Sequence, residues 1–208
     1  MHIRDAERQT KEVIVDVRTL EGDPVTWRDA TLLIGSALRI VPAFRATVEE
    51  AGVPYDTTVQ ARFDRDLARY RVTSVNVVIA EPDGEINGAA LRRVRVQEIV
   101  QAATPSCIAI SLDDGNDPTP LSELTTTEGR LIPEWMAEQA RQRANKDARM
   151  DLVELIYSAA ALSGQAPTKA VQAELNVPYR TAADWISKAR TAGRLEGMSY
   201  IAGRQADG

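Results

Sequence analysis

Two periodicities divide this chain. Between Lys11 and Leu20 the apolar residues Val13, Val15 and Val17 alternate with polar neighbours, and between Tyr70 and Ala80 the same alternation returns with Val75, Val77 and Ile79. A period of two sends successive side chains to opposite faces of an extended chain, so both stretches predict half-buried β-strands. Pro82-Asp83-Gly84 turns the chain out of the second. From Trp27 to Glu50, Leu33, Ala37, Leu38 and Ile40 suit a mostly helical segment, kinked or split at Pro42. Ile86 to Ala103 reads as a short extended piece followed by a helix over Val96 to Ala102. The stretch Thr57 to Leu67 fits either state, since Val59, Ala61 and Phe63 alternate while the charged run from Asp64 to Arg69 suits a helix.

Further on the period is helical. Pro133 to Met150 has proline in a first turn, Glu134 near the positive end and Arg141, Arg143, Lys146 and Arg149 downstream, which predicts a helix running toward Asp151. Trp135 and Met136 are its candidate anchors to the body or to a second copy. Asp151 to Ser163 places Leu152, Leu155, Ile156, Ala159 and Leu162 at helical spacing, and Gly164 with Pro167 ends that helix. Two more helices follow, Thr168 to Leu175 and about Tyr179 to Arg190, the second with Ala182, Trp185, Ile186 and Ala189 at i, i+3, i+4 and i+7. The Asn176-Val177-Pro178 connection allows only a sharp corner. Asn176 tolerates the left-handed backbone of a helix end, and Pro178 fixes φ for the next helix. With Val171, Leu175 and Val177 these residues predict a three-helix unit with its own small core.

The fold class expected is therefore α+β: a mixed α+β domain over 1–112, a flexible Asp-, Pro- and Thr-rich linker over 113–132, and a helical region over 133–208 whose three-helix unit spans 151–195. The stretch APTKAVQAELNVPYRTAADWISKARTAGRL, Ala166 to Leu195, resembles the helix-turn-helix domains of bacterial and phage regulators and recombinases, in a form common in actinobacterial and actinophage proteins. GEINGAALRRVRVQEIV, Gly84 to Val100, is more loosely similar to a segment of uncharacterised actinobacterial proteins and implies no activity. Two positions depart from the family: Gln172 stands where a small alanine usually packs at the helix crossing, and Asn176 replaces glycine.

The resemblance implies double-stranded DNA as partner, with the second helix in the major groove. Its solvent face would then carry Tyr179, Arg180, Thr181, Ala183, Asp184, Ser187 and Lys188. Arg180 is the candidate base contact, because a guanidinium binds the O6 and N7 of guanine together. Asp184 is placed either to accept from a cytosine amine or to orient Arg180. Thr168 and Lys169 open the first helix, where free backbone N–H groups favour a phosphate, and Lys188, Arg190 and Arg194 are candidates for the other backbone strand. One such unit covers limited surface, so a homo-oligomer on two half-sites is expected.

Composition narrows the chemistry. Of 208 residues, Cys107 is the one cysteine and His2 the one histidine, which excludes a disulfide framework, a zinc finger, a Cys/His pair and a Ser-His-Asp triad. Asp113 to Asp117 has neither the ligand spacing nor the closing glutamate of a calcium loop. The expectation is a protein that is not an enzyme and that takes no metal and no cofactor. The formal net charge is −5, yet residues 140–208 hold ten basic against seven acidic side chains, leaving −8 on the remainder. A slightly basic reader on an acidic body keeps non-specific phosphate affinity low. The first ten residues lack the apolar core of a signal peptide, and no apolar run approaches the ~20 residues needed to cross a bilayer, so a cytoplasmic location with no membrane partner is expected. Sequence leaves open an accessory role in recombination, replication or packaging, and a helix-turn-helix that binds protein.

Overall fold

The structure, a computed structural model, describes residues 13–35, 38–50, 53–82, 84–110, 117–125, 130–142 and 146–198. His2, Ala37, Asp83, residues 113–116 and Arg143 lie outside these. The strands are β1 (Val13–Arg18), β2 (Leu32–Ile34), β3 (Leu38–Ile40), β4 (Ala43–Glu50), β5 (Tyr55–Asp64), β6 (Arg69–Ile79), β7 (Ile108–Ile110) and β8 (Thr119–Pro120). The helices are α1 (Gly88–Arg93), α2 (Val96–Ala103), α3 (Leu121–Leu124), α4 (Glu134–Arg141), α5 (Lys146–Leu162), α6 (Pro167–Glu174) and α7 (Tyr179–Thr191). Two antiparallel sheets, ordered β1-β4-β5-β6 and β2-β3-β7-β8, combine with these helices in an α+β fold.

The first sheet is long and two-faced. Register carries one apolar row through Val17, Ala46, Val59 and Val75, and the adjoining outer rows through Asp16, Thr47, Thr58, Asn76 and through Arg18, Arg45, Gln60, Ser74. The Thr47 and Thr58 hydroxyls lie 3.0 Å apart across that outer face. A register shift at Gln60/Ala61 leaves Thr73 as an extra residue and bends β6 there. On the inner face α2 seats Ile99, Val100 and Ala103, and Phe44 meets Tyr70 edge-on at 4.9 Å between centroids. Burial pushes the Tyr70 hydroxyl well above its usual pKa, and that hydroxyl donates to the Val41 carbonyl at 2.7 Å. Cys107 is fully buried, and its thiol pKa is raised for the same reason.

Three sequence expectations change here and one open reading is resolved. Trp27 to Glu50 is a 3-10 turn and three strands, not a helix: Gly35, at φ +62°, and Pro42 cut it into runs too short for helix, and Phe44 to Val48 alternates apolar with polar. The stretch left between two states is β5, with the charged residues in the turn that follows; Asp64 accepts from the N–H groups of Asp66 and Leu67 there. In the 113–132 segment expected as a flexible linker, β8 pairs with β7, and Leu121 and Ile132 are fully buried. The single helix expected over 133–150 is two, since α4 stops before Gln142 and α5 begins at Lys146. Trp135 is exposed, whereas Met136 packs on the core.

The central element is α5, buried on every face from Leu152 to Leu162, as expected of a helix enclosed by the fold. It packs on α4, α6 and α7, and the Gln97 amide of α2 donates to the Ser163 carbonyl at its end. The three C-terminal helices therefore do not keep a separate core. Their Val171, Leu175, Ala182 and Ile186 belong to one cluster that runs through Leu121 and Cys107 to Phe44.

Candidate nucleic-acid interface

α6 and α7 are joined by a corner that the backbone closes by itself. Asn176 takes φ +47°, its N–H donates to Ala173, and the Val177 N–H reaches back to the Gln172 carbonyl at 3.2 Å. This pair of bonds is the glycine-type helix stop, here made by asparagine. Gly164 and Gly193 end α5 and α7 in the same way, through bonds from Gln165 to Ala160 and from Arg194 to Ala189. Pro178, at φ −58°, then starts α7.

The C-terminal end of α6 is held from outside. Arg130 donates to the Glu174 carbonyl at 2.6 Å and Arg141 to the Leu175 carbonyl at 3.0 Å, satisfying groups that a helix end leaves open. Glu134 accepts from both arginines, and the Leu131 N–H donates to the Glu174 carboxylate. Hydrogen bonds from Arg130 and then Arg141 hold the Glu134 carboxyl below its ordinary value of 4.5. A lowered pKa in the folded state means stability present above 4.5 and lost as pH falls through the lowered value. Thermal melts of wild type and Glu134→Gln should therefore differ modestly near neutral pH and converge in acid. Curves that stay parallel throughout would remove Glu134 from the account.

The two faces of α7 separate cleanly. Ala182, Ile186 and Ala189 are buried, and Trp185 is half-buried with the Arg149 guanidinium 4.6 Å from its ring centre. On the opposite face Tyr179, Arg180, Asp184, Ser187 and Lys188 are exposed, with Thr181 and Ala183 half-buried between the faces. Arg180 has no hydrogen bond or ion pair among the described residues. Asp184 is bound to Lys188 at 2.6 Å, one turn later, so it does not orient Arg180. Thr168, half-buried, and Lys169, exposed, open α6, and no side chain caps the first turn of either helix.

Arg190 and Arg194 stand apart from that face. The Arg190 Nη2 donates to the Tyr157 hydroxyl at 2.6 Å, and Arg194 bonds Asp151 and lies 3.8 Å from the buried Glu154 carboxylate. Both are turned onto α5. Of the upstream arginines, Arg141 holds α6, and Arg149 donates to the Ala140 and Gln142 carbonyls. Gln172 and Ala173 are exposed, so the close approach of α6 to the core is made by Val171 and Ala170. Sequence reasoning missed the supporting roles of Arg130, Arg141 and Arg149, because a basic residue in a helical pattern carries no mark of the carbonyl it will meet.

No described helix is long and apolar enough to cross a membrane. Comparison of the chain with protein-family models, with characterised proteins and with solved structures found no match.

Proposed function

We propose that α5 to α7 form a DNA-binding helix-turn-helix following an α+β body, and that this protein binds double-stranded DNA sequence-specifically as a transcriptional regulator with no catalytic role. The observation that carries the reading is the free face of α7: its opposite side is committed to the core, while Tyr179, Arg180 and Ser187 project with no structural task. Arg180 supplies the base contact, and Lys169, Thr168 and the open first turns of α6 and α7 supply phosphate contacts. Two copies on two half-sites and a cytoplasmic location go with this reading. An accessory role in recombination, replication or packaging uses the same contacts.

Selection of the full-length protein against random-sequence DNA tests the proposal. A defined motif that blurs in the Arg180→Ala variant supports base readout by α7; weak binding abolished by modest salt, with no motif, overturns it. The inward turn of Arg190 and Arg194 favours a second reading, in which this unit binds protein. That reading requires Arg180→Ala and Lys188→Ala to leave function intact.

A further inference from the structure

The two edges of the long sheet are treated differently. At β1 the chain folds back, with a bridge between Arg18 and Pro24 and a bond from the Val25 N–H to the Val17 carbonyl, and Asp16 and Arg18 add charge. These are the usual protections of a sheet edge. β6, at the other edge, has no fold-back and no charge along Val72 to Ile79, and its one irregularity is a bulge at Thr73. That run, VTSVNVVI, contains no charge and no proline, and has no sheet neighbour on its outer side among the described residues. Val75 is 44 % exposed, Val78 51 % and Ile79 42 %, although alternation predicted Val75 and Ile79 as half-buried. The reason is that α2 covers β1, β4 and β5 and stops short of β6.

We propose that β6 pairs antiparallel with β6 of a second copy across a two-fold axis at Asn76, joining the two sheets into one. Charge selects both the partner and the direction. β6 is net basic at its start, where Arg69 and Arg71 outweigh Asp64, 3.5 Å from Arg71, and acidic beyond its end, with Glu81 and Glu85. Antiparallel pairing sets the basic end of each copy against the acidic end of the other, whereas parallel pairing sets like against like. With Asn76 on the axis, Val75 falls opposite Val77 and Ser74 opposite Val78, and beyond the bulge at Thr73 the Arg69 and Arg71 end of each strand lies toward Glu81 of the second copy. The uncharged centre then meets its own uncharged centre, a self-complementary patch of the kind a two-fold contact requires. The inference stands on the sheet alone and does not need the DNA reading.

Sedimentation of the full-length protein without DNA, at micromolar concentration, should give a dimer. Ser74→Lys/Val78→Lys puts lysines opposite each other twice, on exposed positions, and should weaken the dimer at least tenfold. Asn76→Cys should cross-link to a dimer under mild oxidation, because residues on the axis fall within disulfide reach and Cys107 is buried; Ser74→Cys, off the axis, should not. Arg71→Glu should weaken association, and adding Glu81→Arg should restore it. A monomeric wild type, a lysine variant that associates as well as wild type, or equal cross-linking at 74 and 76 would each overturn the proposal.

Discussion

Replacing Arg180 with alanine is expected to lower affinity for a selected DNA site by about 5- to 150-fold, the equivalent of the roughly 1–3 kcal/mol that one bidentate guanidinium–guanine contact provides. Folding stability should not change, because Arg180 is exposed and bonded to nothing else among the described residues. The loss should fall on one or two positions of the motif and leave non-specific binding nearly intact. Arg190→Ala should behave in the opposite way. It strips the partner from the buried Tyr157 hydroxyl, a loss of about 1–3 kcal/mol in stability, while touching no DNA contact of the proposed interface. Lys188→Ala lies between, removing a phosphate charge and an exposed pair with Asp184; it should weaken all sequences alike and reduce the salt slope by about 1. The measurement is a titration of each variant against selected and scrambled duplexes at two salt concentrations, with a thermal melt beside it. Equal affinity of wild type and Arg180→Ala for the selected site would end the assignment of that residue.

Those contrasts arise because sequence and structure agree unevenly along the chain. Local rules sufficed where one element's own pattern decides its state: the alternation in β1 and β6, the i, i+3, i+4 spacing of α7, and the asparagine that stops α6. They failed where the deciding term was tertiary. Leu33, Ala37, Leu38 and Ile40 suit a helix in sequence, but Gly35 and Pro42 confine Leu33, Leu38 and Ile40 to short strands, β2 paired with β3 and β3 in turn with β7. Leu121 and Ile132 lie in a stretch with linker composition, yet the core closes over them. The candidate interface was legible as a set of residue types and only half legible as a surface. Five of its eleven named residues share the exposed face of α7. Arg190 and Arg194 were drawn inward by Tyr157, Asp151 and Glu154, which lie 33 to 43 residues earlier in the chain.

The second large effect is expected far from that face. Gly35→Ala should destabilise the protein by about 2–5 kcal/mol, combining roughly 1–2 kcal/mol for a side chain in the left-handed region with about 1–3 kcal/mol for overpacking. Gly35 lies at φ +62° at the end of β2, and an added Cβ would stand 2.5 Å from the Glu154 Oε1 and 2.8 Å from the Arg194 carbonyl oxygen. Neither neighbour can retreat easily. Glu154 is 3 % exposed and lies beside the Arg194 guanidinium, and the other contact is backbone held by the closing turn of α7. Gly88→Ala is the control, since nothing lies within 4 Å of a Cβ there and its φ is not left-handed, so that variant should be neutral or slightly stabilised. Urea unfolding of the two variants separates the cases through the midpoint at constant slope. Because one core runs from the sheets through α5 to α7, the Gly35→Ala variant should still unfold in a single step, with helix and sheet signals lost together. A midpoint equal to wild type would mean that the β2 turn does not press on Glu154. A separate early loss of the helical signal would mean that α5 to α7 fold as a unit of their own, seated on the sheets by little more than this one contact.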